Sequence, residues 1–321
     1  MAPPRALQTP LRKRRKVSGE EAKPPPITPT PSLVGFMTSK TPVASYSTGD
    51  IDDTNTRGNV SIFSNFENGT GTAASNAEET TSTLLADACR HLLAVEPKLK
   101  PVMEAHHCRI FAPEGLAETI DPFRSLASGI MAQQVSGAAA SSIKNKFISL
   151  FSTDTAYNHA GPPHFPPPAL VAATPIPTLR TAGLSQRKAE YIQGLAEKFV
   201  SGELSTVMLM QGSDEDVMEK LVAVRGLGKW SVEMFMCFGL KRMDVFSTGD
   251  LGVQRGMAAL MGRDVAKLKA KGGGKWKYMS EKDMLDISAK FAPYRSLFMW
   301  YMWRIEDVKV EALQDEQKVM E

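Results

Sequence analysis

The chain has few cysteines, and they lie far apart in the sequence. Its 321 residues include three, Cys89, Cys108 and Cys237, and no two of them form a Cys-x-x-Cys pair. A site with four cysteine ligands, for zinc or for an iron–sulfur cluster, is therefore excluded within this chain. An odd number of widely spaced thiols also favours a reducing compartment.

Long apolar runs and strand-like alternation are absent as well. No stretch approaches the roughly 18 consecutive apolar residues of a membrane span, and the N-terminus lacks the apolar core of a secretory signal. We therefore expect a soluble, intracellular protein with no membrane partner. Apolar residues recur at spacings of three and four from residue 81 onwards, which predicts an all-α fold.

Positive charge is scarce outside the N-terminal segment. Residues 1–25 hold seven basic and two acidic residues and carry a net charge of +5, whereas the whole chain carries only +3. The remainder is slightly acidic, which argues against a protein that binds nucleic acid with its whole surface. Any contact with nucleic acid must come from a local basic patch or from oriented backbone amides.

The N-terminal segment is rich in Pro, Ser, Thr, Gly and Asn. We predict a disordered tail over residues 1–80, because this composition cannot bury enough apolar surface to offset chain entropy. Residues 11–16, within Pro10–Val17 (PLRKRRKV), include five consecutive basic residues. They resemble a nuclear localisation signal and predict a nuclear protein that binds the import machinery. A solvated basic tail with non-specific affinity for DNA is the alternative interpretation, and the two roles are compatible.

Helical patterns follow one another through the predicted domain, residues 81–321. We predict helices at 84–93, 123–152, 187–201, 214–224, 230–240, 250–261, 281–291 and 294–307. Two segments interrupt them. The Pro-rich segment 161–177 predicts a surface loop. The Gly/Lys-rich segment 262–280 predicts either a mobile loop that touches phosphate or a solvated insertion.

A short glycine turn, Val224–Gly228 (VRGLG), joins the helical patterns at 214–224 and 230–240. Glycine tolerates a positive φ and lets another backbone approach closely, so Gly226 and Gly228 predict a tight, exposed turn. The amides at the start of the second helix then point outward and offer a site for a phosphate oxygen. Such a turn can hold a nucleic-acid backbone without reading its sequence.

One carboxylate, Asp250, stands where the helical pattern 250–261 begins. An aspartate at such a place is commonly a helix N-cap, and the amides of the first helical turn favour its ionised form. An ionised carboxylate beside a reacting sugar can also stabilise an oxocarbenium-like cation and orient or deprotonate a water molecule. The spacing alone leaves both interpretations open.

Residues 221–250 resemble the helix-hairpin-helix motif, Gly/Pro-rich loop and aspartate of base-excision DNA glycosylases, with the hairpin at 221–240 and the catalytic loop at 241–250. Within that superfamily the chain is most similar to the DNA-3-methyladenine glycosylase II family. Three further stretches carry the resemblance in consistent order: Ile130–Ser136 (IMAQQVS), Leu179–Ala189 (LRTAGLSQRKA) and Phe291–Trp303 (FAPYRSLFMWYMW).

The resemblance implies two helical lobes with a DNA-binding cleft between them. One lobe would be the continuous segment 124–240, and the other would combine 81–123 with 241–307. It also implies that Asp250 is catalytic. Trp230 and Tyr294 would line the pocket of the flipped base, where an aromatic face attracts a cationic alkylated purine by about 0.5–2 kcal/mol. Packing in the core is the alternative for both aromatic residues.

Two adjacent amides, Gln133 and Gln134, interrupt an otherwise apolar pattern. The resemblance places Gln133 at the pocket wall and Gln134 near the wedge that fills the vacated base stack. Hydrogen bonds within a helix bundle are the alternative for both, because buried amides need partners. Trp300 and Trp303 are expected in the core.

Lys229 bears on whether the enzyme also cuts the DNA strand. In relatives that do so, a lysine two residues after the second hairpin glycine forms a Schiff base with the sugar. Trp230 occupies that place here, and Lys229 lies one residue earlier, a rotation of about 100° on a helix. The resemblance thus implies a monofunctional enzyme that contacts the DNA backbone through Gly226, Gly228 and Lys229.

These features predict a nuclear, monomeric DNA glycosylase that removes alkylated purines from double-stranded DNA and passes the abasic site to other repair enzymes. The resemblance implies no organic cofactor and no catalytic metal. A structural Na⁺ or K⁺ would bind the backbone carbonyls of Val222, Val224 and Leu227. Two alternatives are a helix-hairpin-helix protein that binds damaged DNA without cleaving it and a bifunctional glycosylase/lyase.

Overall fold

Helices form the regular secondary structure of the residues that the structure describes. The computed structural model describes residues 73–151, 164–270, 274, 276 and 278–305, and only the backbone of 73–82. This part of the chain contains no strand, so the predicted all-α fold is confirmed. None of the helices described is long and apolar enough to cross a membrane. The basic segment 11–16 lies outside the described residues.

Fifteen α-helices follow one another in the described residues. They are α1 (Ala73–Val95), α2 (Lys100–Ala105), α3 (Pro113–Leu116), α4 (Pro122–Ala132), α5 (Gly137–Ser149), α6 (Pro168–Ala173), α7 (Ile176–Arg180), α8 (Gln186–Val200), α9 (Thr206–Gln211), α10 (Asp214–Val222), α11 (Lys229–Met234), α12 (Leu251–Leu260), α13 (Val265–Ala270), α14 (Glu281–Ser288) and α15 (Arg295–Met302). Short 3₁₀ turns lie at Pro97–Leu99, Arg109–Phe111 and Ala289–Phe291, and a π-helical turn, Phe235–Gly239, extends α11.

The middle of the chain forms one packed body around α4. This helix contacts α5, α8 and the π-helical turn, and α8 in turn packs against α6 and α7. The interior is apolar and aromatic, with buried side chains that include Phe123, Leu126, Ile130, Phe147, Ile192 and Leu195. This body corresponds to the predicted continuous lobe.

The second body joins the two ends of the described chain. Helix α1 packs against α3 and the 3₁₀ turn at 289–291, while α12 packs against α15. The Cys89 thiol lies 3.8 Å from the Tyr301 hydroxyl, and the buried Lys241 ammonium binds Glu118 at 3.2 Å. The predicted pairing of 81–123 with the C-terminal residues is therefore present. The chain passes between the two bodies through α11 and the loop that ends at Asp250.

The single helix predicted over 123–152 is wrong. Helix α4 ends at Ala132, and α5 begins at Gly137. Two local features explain the break. Gln134 has a left-handed backbone with φ of +55°, which cannot continue a right-handed helix. Ser136 then caps α5 by accepting the amide of Ala139 at 3.3 Å.

Three segments predicted as irregular contain helical turns. Within 161–177, helices α6 and α7 each begin with a proline in the first turn, where the missing N–H costs no helical hydrogen bond. Within 262–280, α13 forms at Val265–Ala270, although residues 271–273, 275 and 277 lie outside the described part. Helix α1 starts at Ala73, ahead of the predicted boundary at residue 80.

Candidate functional site

The turn between α10 and α11 is built around Gly226. Its φ is +93°, and an added Cβ would lie 2.3 Å from Cδ2 and 2.9 Å from Cβ of Tyr191. Glycine is therefore required at position 226 for two reasons: the positive φ and the close packing of the backbone against Tyr191. Gly228 differs, because its φ is −94° and an added Cβ would meet nothing within 4 Å. The predicted tight turn is present, but only one of its glycines needs glycine for the fold. The other leaves open space beside the start of α11.

The end of α4 is bonded to this turn. The side-chain amide of Gln133 donates to the carbonyl of Gly226 at 2.9 Å. The next residue, Gln134, is exposed and holds a left-handed backbone that costs a residue with a Cβ about 1–2 kcal/mol. The ammonium of Lys188 donates to the carbonyls of Met131 and Gln133 at 2.9 and 2.6 Å. Gln133 thus bonds within the bundle, whereas Gln134 projects from its surface.

Asp250 lies at the end of the loop that follows the hairpin and is fully buried. Its Oδ1 accepts the amide of Val253 at 2.9 Å, so it is the N-cap of α12. Two indole N–H groups donate to it as well: Trp230 to Oδ2 at 2.8 Å and Trp303 to Oδ1 at 2.9 Å. A helix cap needs only the backbone contact. The two indoles therefore indicate that this carboxylate is held for more than capping.

Burial and hydrogen bonding act on Asp250 in opposite directions. Desolvation raises the pKa of its carboxyl above the ordinary value, because burial disfavours the charged form. Hydrogen bonds from Trp303, the Val253 amide, Trp230 and the Gly252 amide favour the anion and partly offset that rise. The sequence predicted only the favourable amides. The net direction is upward because burial outweighs them.

Trp303 is a residue of the site that the sequence pattern did not indicate. It was expected in the core, but its indole is only half-buried and its N–H reaches Asp250. Gly252 makes room for it, since an added Cβ there would lie 2.6 Å from Cδ1 of Trp303. Trp300, three residues earlier, is buried as expected. Two tryptophans three residues apart give no sequence signal for which of them donates to a carboxylate.

Trp230 joins the carboxylate to the end of α4. Besides its bond to Asp250, its ring packs against the small cluster of Ala132 and Ala140, beside Val135. The predicted pocket residue therefore lies between Asp250 and the turn that carries Gln134. Tyr294 is only half-buried and packs edge-on against His91, with ring centroids 5.5 Å apart. That contact does not itself link Tyr294 to Asp250.

Polar contacts with α11 and α14 hold the loop before Asp250. The hydroxyl of Ser247, which is fully buried, donates to Oε2 of Glu233 on α11 at 2.5 Å. The hydroxyl of Thr248 donates to Glu281 on α14 at 2.9 Å, and the side-chain amide of Gln254 donates to the carbonyl of Thr248 at 3.1 Å. Side chains from several helices thus hold the backbone of the loop that positions the Asp250 carboxylate.

The start of α15 anchors the same loop further back. Arg295 makes two bonds to the Asp244 carboxylate, at 2.7 and 2.8 Å. The buried Ser296 hydroxyl donates to the carbonyl of Arg242 at 2.6 Å and accepts the amide of Val245 at 2.9 Å. The stretch Phe291–Trp303 therefore both anchors this loop and donates to Asp250.

Lys229 is the first residue of α11, and 73% of its side chain is exposed. Its ammonium lies 3.9 Å from Oε1 of Glu233, so the charge is displayed at the surface beside the glycine turn. The carbonyl of Val224 accepts the amide of Leu227 at 3.1 Å, and its second lone pair is not needed for that bond. The described residues contain no group of three or more His, Cys, Asp or Glu side chains suited to a metal ion.

Comparisons with known proteins agree on one family. The model of the HhH-GPD superfamily of base excision DNA repair proteins matches residues 127–271. A DNA-3-methyladenine glycosylase of Saccharomyces cerevisiae is 35% identical in an alignment 252 residues long that covers 70% of this chain and 81% of that protein. The residues matched by the family model include the glycine turn, α11 and Asp250.

Two solved structures share the fold. A DNA-3-methyladenine glycosidase from Bacillus halodurans is 30% identical, with a TM-score of 0.55 and coverage of 70% of this chain and 91% of that one. A 3-methyladenine DNA glycosylase of Schizosaccharomyces pombe, solved in complex with abasic DNA, is 24% identical with a TM-score of 0.53, covering 70% and 98%. The chain therefore belongs to the HhH-GPD superfamily of base excision DNA repair proteins, in its alkylation-repair branch.

Proposed function

We propose that this protein is a monofunctional DNA glycosylase that hydrolyses the N-glycosidic bond of alkylated purines, of the 3-methyladenine type, in double-stranded DNA. The observation that carries the proposal is Asp250, a buried carboxylate held by two indole N–H groups at the end of the loop that follows the helix-hairpin-helix motif. A non-catalytic DNA-binding module would gain nothing from a desolvated carboxylate, which is costly to bury. Removal of the base starts base-excision repair.

The chemistry follows from the charge of the groups involved. Loss of the base leaves a sugar with oxocarbenium character, and the Asp250 anion stabilises that positive charge and orients or deprotonates the attacking water. The fixed N–H donors around the carboxylate hold it in one orientation before the reaction, so little reorganisation is needed when charge develops. The anion is the reactive form.

Trp230 supplies an electron-rich wall for the base. Its indole edge is occupied by the bond to Asp250, which fixes the plane of the ring. A purine alkylated at a ring nitrogen carries positive charge, so an aromatic face attracts it by about 0.5–2 kcal/mol. Such a base is already a good leaving group and needs no strong general acid. Tyr294 and Gln133 are proposed as further parts of the pocket wall, with the side-chain amide of Gln133 bonded to the carbonyl of Gly226.

The glycine turn anchors the DNA backbone. The first N–H groups of α11 have no acceptor within the helix, and the open space at Gly228 lets a phosphate approach them. Gly226 shapes the turn, and Lys229 adds a nearby positive charge. A Na⁺ or K⁺ held by the carbonyls of Val222, Val224 and Leu227 would strengthen the attraction for phosphate.

Gln134 is proposed as the wedge that enters the duplex when the nucleotide leaves the stack. It is exposed, and it lies one residue from Gln133, whose side chain bonds the glycine turn. A polar side chain can fill the gap and offer hydrogen bonds to the unpaired base opposite. The wedge, the turn and Trp230 then act on neighbouring parts of one nucleotide.

One assay separates this proposal from its alternatives. The protein is incubated with methylated duplex DNA, released 3-methyladenine is measured, and alkali is then added to reveal abasic sites. Release by the wild type, and a loss of at least about 100-fold in Asp250→Asn, are expected because the variant lacks the anion. Strand cleavage before alkali would indicate a lyase, and binding without release would indicate a non-catalytic module.

The cellular setting is part of the same proposal. The basic segment 11–16 would bind the nuclear import machinery and place the protein in the nucleus, where the product abasic site passes to other repair enzymes. We expect a monomer, because one chain carries the hairpin, the carboxylate and the wedge candidate. A fusion of residues 1–80 to a fluorescent protein tests the first point, and light scattering tests the second.

A further inference from the structure

The stretch Leu179–Ala189 contains one side chain that reaches out of its own element. Lys188, in the first turn of α8, extends its half-buried ammonium to two carbonyls at the C-terminal end of α4, those of Met131 and of the C-cap residue Gln133. The backbone of Lys188 is itself fixed, because its amide donates to the Ser185 hydroxyl that caps α8, at 3.3 Å. The chemistry proposed for Asp250 and Trp230 makes no use of this lysine.

These contacts are made where the backbone turns sharply. Gln134 follows directly after the bonded carbonyl of Gln133 and has a φ of +55°, a conformation unfavourable for any residue with a Cβ. A strained residue persists only when its surroundings fix it. Here the residue before it is held on two sides: the Gln133 side chain bonds the carbonyl of Gly226, and the Gln133 carbonyl bonds Lys188.

The use of a lysine at this position is costly. Burial lowers the pKa of the Lys188 ammonium, because the charged form loses water. Its two partners are neutral carbonyls, although the negative end of the α4 dipole also favours a cation here. An apolar side chain would avoid the desolvation but would leave the carbonyls of Met131 and Gln133 without this donor. The bonds therefore serve the geometry of the turn.

We propose that Lys188 is a positioning residue for base flipping, which holds the end of α4 so that Gln134 keeps the left-handed conformation from which it enters the duplex. This inference rests on the proposed function and on the wedge role of Gln134. Lys188 touches neither the base nor the sugar. Its effect should appear only when a base must be taken out of a paired stack.

The test compares two duplexes that each carry one 7-methylguanine. In one, the lesion is paired with cytosine; in the other, it faces an abasic-site analogue, so no base pair has to be broken. For Lys188→Met, single-turnover excision from the paired duplex is expected to fall about tenfold, while the unpaired duplex stays within about twofold. Lys188→Arg, which keeps the cation and its donors, should restore most of the activity.

Control variants separate this role from general damage. Lys198→Met removes another half-buried lysine of α8, whose ammonium pairs with Glu203 instead, and should leave both rates unchanged. Circular dichroism and thermal melting check folding. If Lys188→Met does not fold, Lys188→Gln replaces it, because its shorter side chain keeps an amide donor. Its excision rate on the paired duplex should then fall about threefold or more, relative to its rate on the unpaired duplex.

The outcomes distinguish a failure of this inference from a failure of the proposed glycosylase function. If the wild type releases no base from either duplex and no 3-methyladenine from methylated duplex DNA, the glycosylase function fails, and this inference with it. If Gln134→Ala leaves both rates unchanged, the wedge role fails. If Gln134→Ala slows only the paired duplex but Lys188→Met slows both equally, or neither, then Lys188 does not position the wedge and the inference is overturned.

Discussion

Asp250 is the residue on which the proposed chemistry depends, and its protonation should set the acid limit of activity. The pKa of its carboxyl is raised by burial and held down most strongly by the Trp303 hydrogen bond. The anion is the active form, so activity is lost as the pH falls through that pKa. Removing a hydrogen-bond donor to the anion should raise the pKa further and move the acid limb upward.

Trp303→Phe tests this dependence. We expect the acid limb of the single-turnover rate to move to higher pH, while the alkaline plateau is less affected. At a fixed pH on that limb, the rate should fall about tenfold for every pH unit by which the limb moves. Trp300→Phe is the matched control, since it makes the same change three residues earlier in the chain but its indole N–H has no hydrogen-bond partner among the described residues. Equal movements of the limb in the two variants would contradict the assignment.

The two glycines of the hairpin should respond differently to alanine. Gly226→Ala combines a positive φ, worth about 1–2 kcal/mol, with overpacking against Tyr191 worth about 1–3 kcal/mol. Gly228→Ala has an ordinary φ and open space, so its cost should be about 1 kcal/mol or less. Urea unfolding should therefore separate them.

The affinity for a duplex with an abasic site should also distinguish the two alanine variants of the hairpin, where they fold. Gly228→Ala places a methyl group where a phosphate would approach the amides of α11. Its binding free energy for the duplex should therefore fall by more than its free energy of unfolding. Fluorescence anisotropy measures this. A Gly228→Ala protein that binds like the wild type would show that the phosphate lies elsewhere.

The loop between the π-helical turn and α12 is the element that delivers Asp250, and Ser296 should control its order. Ser296→Ala leaves the amide of Val245 and the carbonyl of Arg242 without their buried partner, a cost of about 1–3 kcal/mol. We expect lower stability and a slower single-turnover rate together. Ser288→Ala is the control, because that buried hydroxyl bonds within its own turn, at Leu285. A stable but equally fast Ser296→Ala would contradict the role of the loop.

Sequence periodicity located most helices of this fold, because amphipathic faces are local patterns. It failed where the backbone breaks for a reason outside the pattern. The sequence of Ile130–Ser136 does not predict a left-handed backbone at Gln134. The contacts that hold this turn come from Gly226 and Lys188, which are far away in the sequence. Trp303 was misplaced for the same reason. Its partner Asp250 is 53 positions earlier in the chain, and only the packed fold brings the two together.

The charge distribution of the whole chain leads to the last prediction. The body outside residues 1–25 is slightly acidic, so the hairpin amides and a few lysines must supply its affinity for DNA. The contribution of this body to the salt dependence of binding should therefore be small. The five basic residues at 12–16 add the largest local charge. Replacing all five with glutamine should reduce the slope of log K against log salt by about 0.9 for each phosphate that the tail no longer neutralises, up to about 4.5.

The same replacement should leave the single-turnover excision rate at saturating protein unchanged, because the tail plays no part in the proposed chemistry. Anisotropy titrations at several salt concentrations give the slope, and product release gives the rate. An unchanged slope would mean that the tail does not touch the duplex, leaving import as the role of its charge. A lower rate at saturation would instead place the tail in the reaction, which the arrangement around Asp250 does not require.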